Sequence, residues 1–285
     1  MVIGRRGWVL LSIAVAGLWA GWRIDLDPRD ILPNAGGMQV AREFFARALS
    51  PALTYESTTV VPGASPLLVK ALAAARQTLI FAGAAVSLAL LIGLPLGFLS
   101  STIWWEADPA AAESRAGRLL RRTVAPLIYG ASRMLAAVMR SIHELLWAVL
   151  FLAALGASNL TAVIAIAIPF GGTFAKVLSE LLDEAPRDSG AALRAAGASR
   201  FQAILFGVLP RAHSDMAAYA FYRFECALRS SAILGFFGYP TLGYYIAASF
   251  ENLHYGEVWT YIYAMFLLVA AVDWWSGSFR RSFAA

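Results

Sequence analysis

A chain of 285 residues of which 59% are hydrophobic and 14% charged does not read as a soluble globular protein. Its mean hydropathy of +0.64 and several uncharged runs of about 20 residues place it among multi-span helical membrane proteins. The net charge of +5 sits on arginines that flank apolar runs, which points to positive-inside topology and away from nucleic acid.

In chain order, Arg5-Arg6 and the apolar run over 7–22 predict an N-terminal membrane anchor span, 1–22. No small-x-small site closes that run, and Trp19 and Trp22 suit an interface, so the span is expected to stay uncleaved. Residues 23–70 carry five basic and five acidic side chains and are expected outside the membrane, as an extracytoplasmic segment. Within them, 38–49 places Val40, Phe44 and Ala48 on one face, with Arg42, Glu43 and Arg47 largely opposite. That is the pattern of an interfacial helix or of an ordinary surface helix.

The uncharged stretch 77–105 is long enough to span with tilt. Its Gly93 and Gly97 form a GxxxG that lets helices approach, while Pro95 between them favours a kink. The arginine-rich 106–122 is expected on the cytoplasmic side. Spans over 136–155 and 160–181 follow, separated by the turn 156–159. After a polar segment, 183–210, come a span over 216–237, a loop over 238–256 without Lys or Arg, and a last span over 257–275. With both termini inside, twelve Lys and Arg lie in the inner segments and none in the two short outer loops. The expected fold class is therefore an all-α polytopic membrane protein with about six transmembrane helices. No internal repeat is visible, so the chain is at most one half-pore and a homodimer is the economical assembly.

The polar segment carries the strongest local signals. Residues 191–196 have high helix propensity, Gly197 suits a helix C-cap, and Ser199 can N-cap a second short helix. Pro210 favours a helix end or the first turn of a new helix. Two short helices joined by a glycine read as a docking element; the plain alternative is an amphipathic loop. In the following span Glu225 and Arg229 stand at i, i+4 in the favourable order, close to Arg223. Charges in a span usually face the bundle interior or a water-filled path, so these are either a pathway or gating set or a structural lock. Gly235, Gly238 and Gly243 give this span a breakable end, or tight packing. Arg140 and Glu144 repeat the spacing in the third span, beside His143.

No catalytic, metal or cofactor-binding constellation is apparent. The single Cys226 excludes an intramolecular disulfide, His143, His213 and His254 are scattered, and there is no P-loop. If ATP drives this protein, it must bind another chain.

The run Ala191-Ala192-Leu193, then Gly197, then Leu209-Pro210 resembles the coupling loop of binding-protein-dependent ABC importer permeases. Three further blocks narrow the likeness to phosphonate-type permeases: Tyr222-Arg223-Phe224-Glu225, the run from Leu228-Arg229-Ser230 to Leu234-Gly235, and 140–148. Ala191 stands where that loop usually carries Glu, and His143 where the upstream block usually has Pro. The resemblance implies a type I importer permease core over 71–285, preceded by one extra span. It implies transport of phosphonate or a related small oxyanion such as phosphate or phosphite. It also implies a nucleotide-binding ATPase subunit that holds ATP and Mg, an extracytoplasmic solute-binding protein, and a homodimer in the inner membrane lipid. Ala191, Ala192, Leu193, Arg194, Gly197, Leu209 and Pro210 would then couple to the ATPase. Arg223, Glu225, Arg229, Gly235, Gly238, Arg140 and Glu144 would serve the pathway or its gate. The rival readings are an ion-coupled secondary transporter that uses Glu225, Arg229 and His143, and a non-transporting membrane scaffold or degenerate permease, to which the Ala191 departure gives some weight.

Overall fold

The computed structural model describes residues 4–27, 34–57, 62–105 and 115–283, and these form helices and turns without a strand. Residues 106–114 of the expected cytoplasmic loop, and the side chains of Arg115, Arg118, Arg121, Arg280 and Arg281, lie outside the described residues. The chain divides into two compact units, Met1–Ser50 and Pro51–Ala285.

The first unit holds α1 (Arg5–Arg23) and α2 (Ala35–Ala46). Apolar side chains such as Trp8, Leu10, Leu18 and Trp22 are exposed along α1. A helix apolar on all sides needs lipid or protein around it. The expected 38–49 helix begins earlier, because the Asn34 side chain accepts from Gly37 N at 2.6 Å and caps α2 there.

The larger unit is a bundle built on α3 (Leu67–Ser100) and α6 (Asn159–Glu184). A bent pair, α4 (Arg115–Ser141) and α5 (Glu144–Leu155), flanks α6. Two short helices, α7 (Asp188–Ala195) and α8 (Arg200–Ala203), lead through a π-helical turn (Ile204–Val208) into α9 (Leu209–Ile233). The chain closes with α10 (Leu242–Glu251) and α11 (Tyr255–Phe283).

Small residues let these helices approach. A Cβ on Gly93 would lie 2.5 Å from Phe174 Cβ, and one on Gly172 would lie 2.7 Å from Ala136 O, so α6 is wedged between α3 and α4. The Gly93/Gly97 pair thus makes a seam within the chain. Ala82, Ala85, Ala89, Ala167 and Ala227 are fully buried in the same core, as expected where packing rather than the hydrophobic effect joins helices in lipid. Three turns into α3 a buried polar knot holds the elements together. Leu242 N donates to Thr78 Oγ1 at 3.0 Å, and Ser231 Oγ donates to Thr78 O at 3.0 Å.

Among the described residues, three helices are long and apolar enough to cross a membrane: α3, α6 and Tyr255–Phe279 of α11. A fourth crossing is reached if the α4–α5 pair counts as one, against the six expected. Of the remaining two, α1 is bounded by arginines at both ends and α9 carries Arg223, Glu225 and Arg229 in its interior. The expected straight span 136–155 is broken by 91° after Ser141. His143 is the cause: its backbone is extended and its Nδ1 accepts from Leu145 N at 3.3 Å, capping a new helix. Arg140 and Glu144 therefore do not share a helix, and their i, i+4 relation is lost.

Candidate functional site

The glycine-joined pair folds as the residue types dictate. Gly197 has φ +91° at the position after the C-cap of α7. Ala198 N donates to Leu193 O and Gly197 N to Arg194 O, both at 3.0 Å, which together form a Schellman closure. Arg194 Nη1 clamps the same turn by donating to Ala198 O at 2.7 Å. Ser199 then opens α8 with a capping box shared with Gln202. Pro210 sits in the first turn of α9, where its missing N–H costs nothing.

The pair is fastened to the membrane bundle through residues that sequence reasoning missed. A Cβ on Gly207 would lie 2.7 Å from Gly190 Cα, so two glycines press α7 onto the π-helical turn. Arg200 Nη2 donates to Ile103 O at 2.6 Å, and the Trp104 and Phe201 rings meet edge to face at 5.9 Å. Asp183, at the end of α6, accepts from Ser101 Oγ (2.6 Å), Thr102 N (2.8 Å) and Ile103 N (3.1 Å). Leu209 packs on the buried cluster of Ile103, Leu182, Ile204 and Val208. The ends of α3 and α6 and the start of α9 thus meet beneath α7 and α8. Ala191, Ala192, Gly197 and Phe201 remain exposed, Leu193 half-buried. Such a surface can receive a partner, and a push on α8 travels along an unbroken helical run over 200–233. The signals for the fastening were present as Gly190 and Gly207, but a glycine's neighbour across space is not written in its spacing.

The charges expected within spans occupy two settings. Arg223 is half-buried with its guanidinium carbon 3.8 Å from the Phe170 ring centroid. Arg229 is exposed and donates to Cys226 Sγ at 3.5 Å, while Glu225 is half-buried on the same helix. Beside them α6 carries an ion pair the sequence reading passed over, Lys176 Nζ to Glu180 Oε1 at 2.8 Å. Both of its side chains are more than a third exposed within an otherwise buried helix. The i, i+4 spacing inside an apolar run was the available signal. The Phe174 and Tyr219 rings, 5.7 Å apart, join α6 to α9 along this face. Glu144 instead accepts from Ser230 Oγ at 2.8 Å, tying the α4–α5 bend to α9, while Arg140 is exposed.

Gly235 and Gly243 are packing glycines. A Cβ on either would come within 2.0 Å of backbone atoms, Tyr244 N and Ala232 O respectively. Gly238, at φ +84°, makes the left-handed turn between them.

Residues 111–284 match the family model described as binding-protein-dependent transport system inner membrane component. The phosphite transport system permease protein PtxC of Stutzerimonas stutzeri is 34% identical over 161 residues, covering 55% of this chain and 58% of that protein. The phosphate-import permease protein PhnE of Mycolicibacterium smegmatis is 26% identical over 230 residues, covering 81% of this chain and 40% of that protein. The chain thus spans about half the length of the curated relatives it matches. In solved structures, the inward-facing MetNI methionine ABC transporter superposes with a TM-score of 0.62 at 19% identity, covering 77% of this chain and 99% of that chain. An amino acid ABC transporter superposes at 0.60 and 17% identity, covering 75% and 94%. The fold is that of ABC importer permeases. The chain belongs to the binding-protein-dependent transport system inner membrane components: it is a permease part of an ABC transporter and not its ATPase.

Proposed function

We propose that this chain forms half of the transmembrane pathway of an ATP-driven importer for phosphonate or a related small oxyanion, phosphate or phosphite. A separate ATPase subunit engages the 183–210 segment, and an extracytoplasmic solute-binding protein delivers the solute to the opposite side. Two copies of the chain build the pore, with both termini cytoplasmic and with α1 and α9 completing the crossings.

The observation that carries this reading is the α7–Gly197–α8 hairpin, exposed on one side and fastened on the other to α3, α6 and α9. ATP-driven closure of the ATPase would displace the hairpin and swing α9 relative to α6. The face bearing Lys176, Glu180, Tyr222 and Arg229 would then line the path, because charges at membrane depth are costly against lipid. The oxyanion class is supported by the phosphite and phosphate transport named for the two relatives above. Ala191 in place of a carboxylate leaves the hairpin geometry whole, since that position is exposed and makes no cap.

Reconstitution in proteoliposomes with the ATPase and binding protein tests the proposal. Phosphite or methylphosphonate uptake should require ATP and both partners. Uptake driven by a proton or sodium gradient, without any ATPase, would overturn it in favour of ion-coupled transport.

A further inference from the structure

A cavity of about 340 Å³ opens at the end of α3 remote from the coupling hairpin, among Tyr55, Lys70, Tyr245, Asn252, His254 and Glu257. At 1.5 Å per residue, about 45 Å of helix separates Lys70 from Ser100. Lys70 is the unusual group. It lies in the first turns of α3, where the helix dipole favours an anion and disfavours an ammonium. Its Nζ stands 4.7 Å from the Tyr245 ring centroid and 5.3 Å from that of Tyr55. Burial, and to a lesser degree Tyr244 and Tyr55, holds the Tyr245 phenol above its usual range, so it presents a neutral ring. Among the described residues no carboxylate pairs with this ammonium.

Two carboxylates stand close by, one of them at the cavity wall, and both are hydrogen-bonded. Glu257 is 5% exposed; it accepts from Glu56 N at 2.9 Å and Ser249 Oγ at 3.2 Å, and His254 Nδ1 lies 3.9 Å from it. Glu56 accepts from Gly256 N at 3.0 Å. Beside the cavity the backbone is held in a costly form. Leu253 adopts φ +59°, and His254 N donates to Ser249 O at 2.9 Å in a Schellman closure normally given to glycine. That turn sets Asn252 and His254 at the cavity.

We propose that this cavity is a binding site for a small free oxyanion, with Lys70 as its charge partner; that the anion is of the phosphoryl class rests on the importer reading above. The ammonium without a carboxylate partner and the positive helix end both favour an anion, while the Glu257 carboxylate at the cavity wall is held by Glu56 N and Ser249 Oγ. The site stands apart from the coupling hairpin, and its occupancy can be measured without any ATPase, so failure here and failure of the importer reading are separable.

The test is titration of inorganic phosphate and methylphosphonate onto the full chain in phosphatidylcholine nanodiscs, followed by calorimetry and phosphorus NMR. Lys70→Gln should weaken binding about tenfold or more, the scale of one charge-assisted hydrogen bond. Lys70→Arg should retain most of it and shows that the substituted chain still folds. Arg76→Gln removes an exposed charge from the same helix and should leave binding unchanged. Equal binding by Lys70→Gln, or none by the native chain, overturns the proposal. Repeating the titration with phosphatidylglycerol discs separates the sources of this chemistry. A free-anion site binds phosphate alike in both lipids. Lys70-dependent retention of phosphatidylglycerol together with loss of phosphate binding would assign the cavity to a lipid headgroup and overturn the free-solute claim.

Discussion

Two glycines, one closing α7 and one just after α9, show how one residue type serves opposite ends. At Gly197 the space around a Cβ is open, but φ is +91°, so a side chain costs conformation and not a clash. Gly197→Ala should lower stability by about 1 to 2 kcal/mol, read as a lower midpoint of thermal unfolding in detergent. At Gly235 the reverse holds, since a Cβ would sit 2.0 Å from Tyr244 N. Gly235→Ala should cost about 1 to 3 kcal/mol or more, because the backbone of the turn after α9 and that of α10 must part to admit it. Asp183 is a third sensitive residue. Asp183→Ala strips an acceptor from Ser101, Thr102 and Ile103, and about 2 to 3 kcal/mol of stability should go with it. A melting curve indistinguishable from that of the native chain would show that the join between α3 and α6 is held by other contacts.

At the scale of elements, the hairpin works only if α7, α8 and α9 move as one body. The contact that enforces this is the Gly190 to Gly207 approach, so Gly207→Leu should lift α7 from the π-helical turn. ATPase stimulation by solute-loaded binding protein should then fall severalfold, while phosphate binding by the isolated permease stays unchanged. Much of this element was legible in the sequence. Gly197, Ser199 and Pro210 encode their own local geometry through φ preference, capping and the missing N–H, and each stands where those preferences placed it. What joins the hairpin to the bundle was not legible. Arg200 reaches Ile103 and Gly207 reaches Gly190 only once α3 and α6 have packed, and such pairings depend on tertiary distance. The bend at His143 was hidden for a related reason. An uninterrupted apolar run reads as one span, and the side-chain cap that breaks it shows only when the following N–H is left without a helical partner. Lys176 and Glu180 were visible at i, i+4 but lay inside a span read as apolar.

Across the whole molecule, α3 connects two differently built ends. One gathers α6, α7, α8 and α9 around Asp183 and Ile103; the other holds the Thr78 knot and the Lys70 cavity. Between them lies the Lys176 to Glu180 pair, on the face proposed above to line the path. Lys176→Gln should therefore slow ATP-driven uptake in proteoliposomes while the ATPase remains bound; full uptake would remove that face from the pathway. The central claim is that the hairpin receives an ATPase, and Ala192→Trp probes it with little risk to the fold, because Ala192 is exposed on α7 and tryptophan is tolerated in a helix. The decisive measurement is co-purification of the partner ATPase with the native chain and with this variant. The account predicts retention by the native chain and loss by Ala192→Trp at unchanged thermal stability. Equal retention by both, or no ATPase on the native chain, would contradict it.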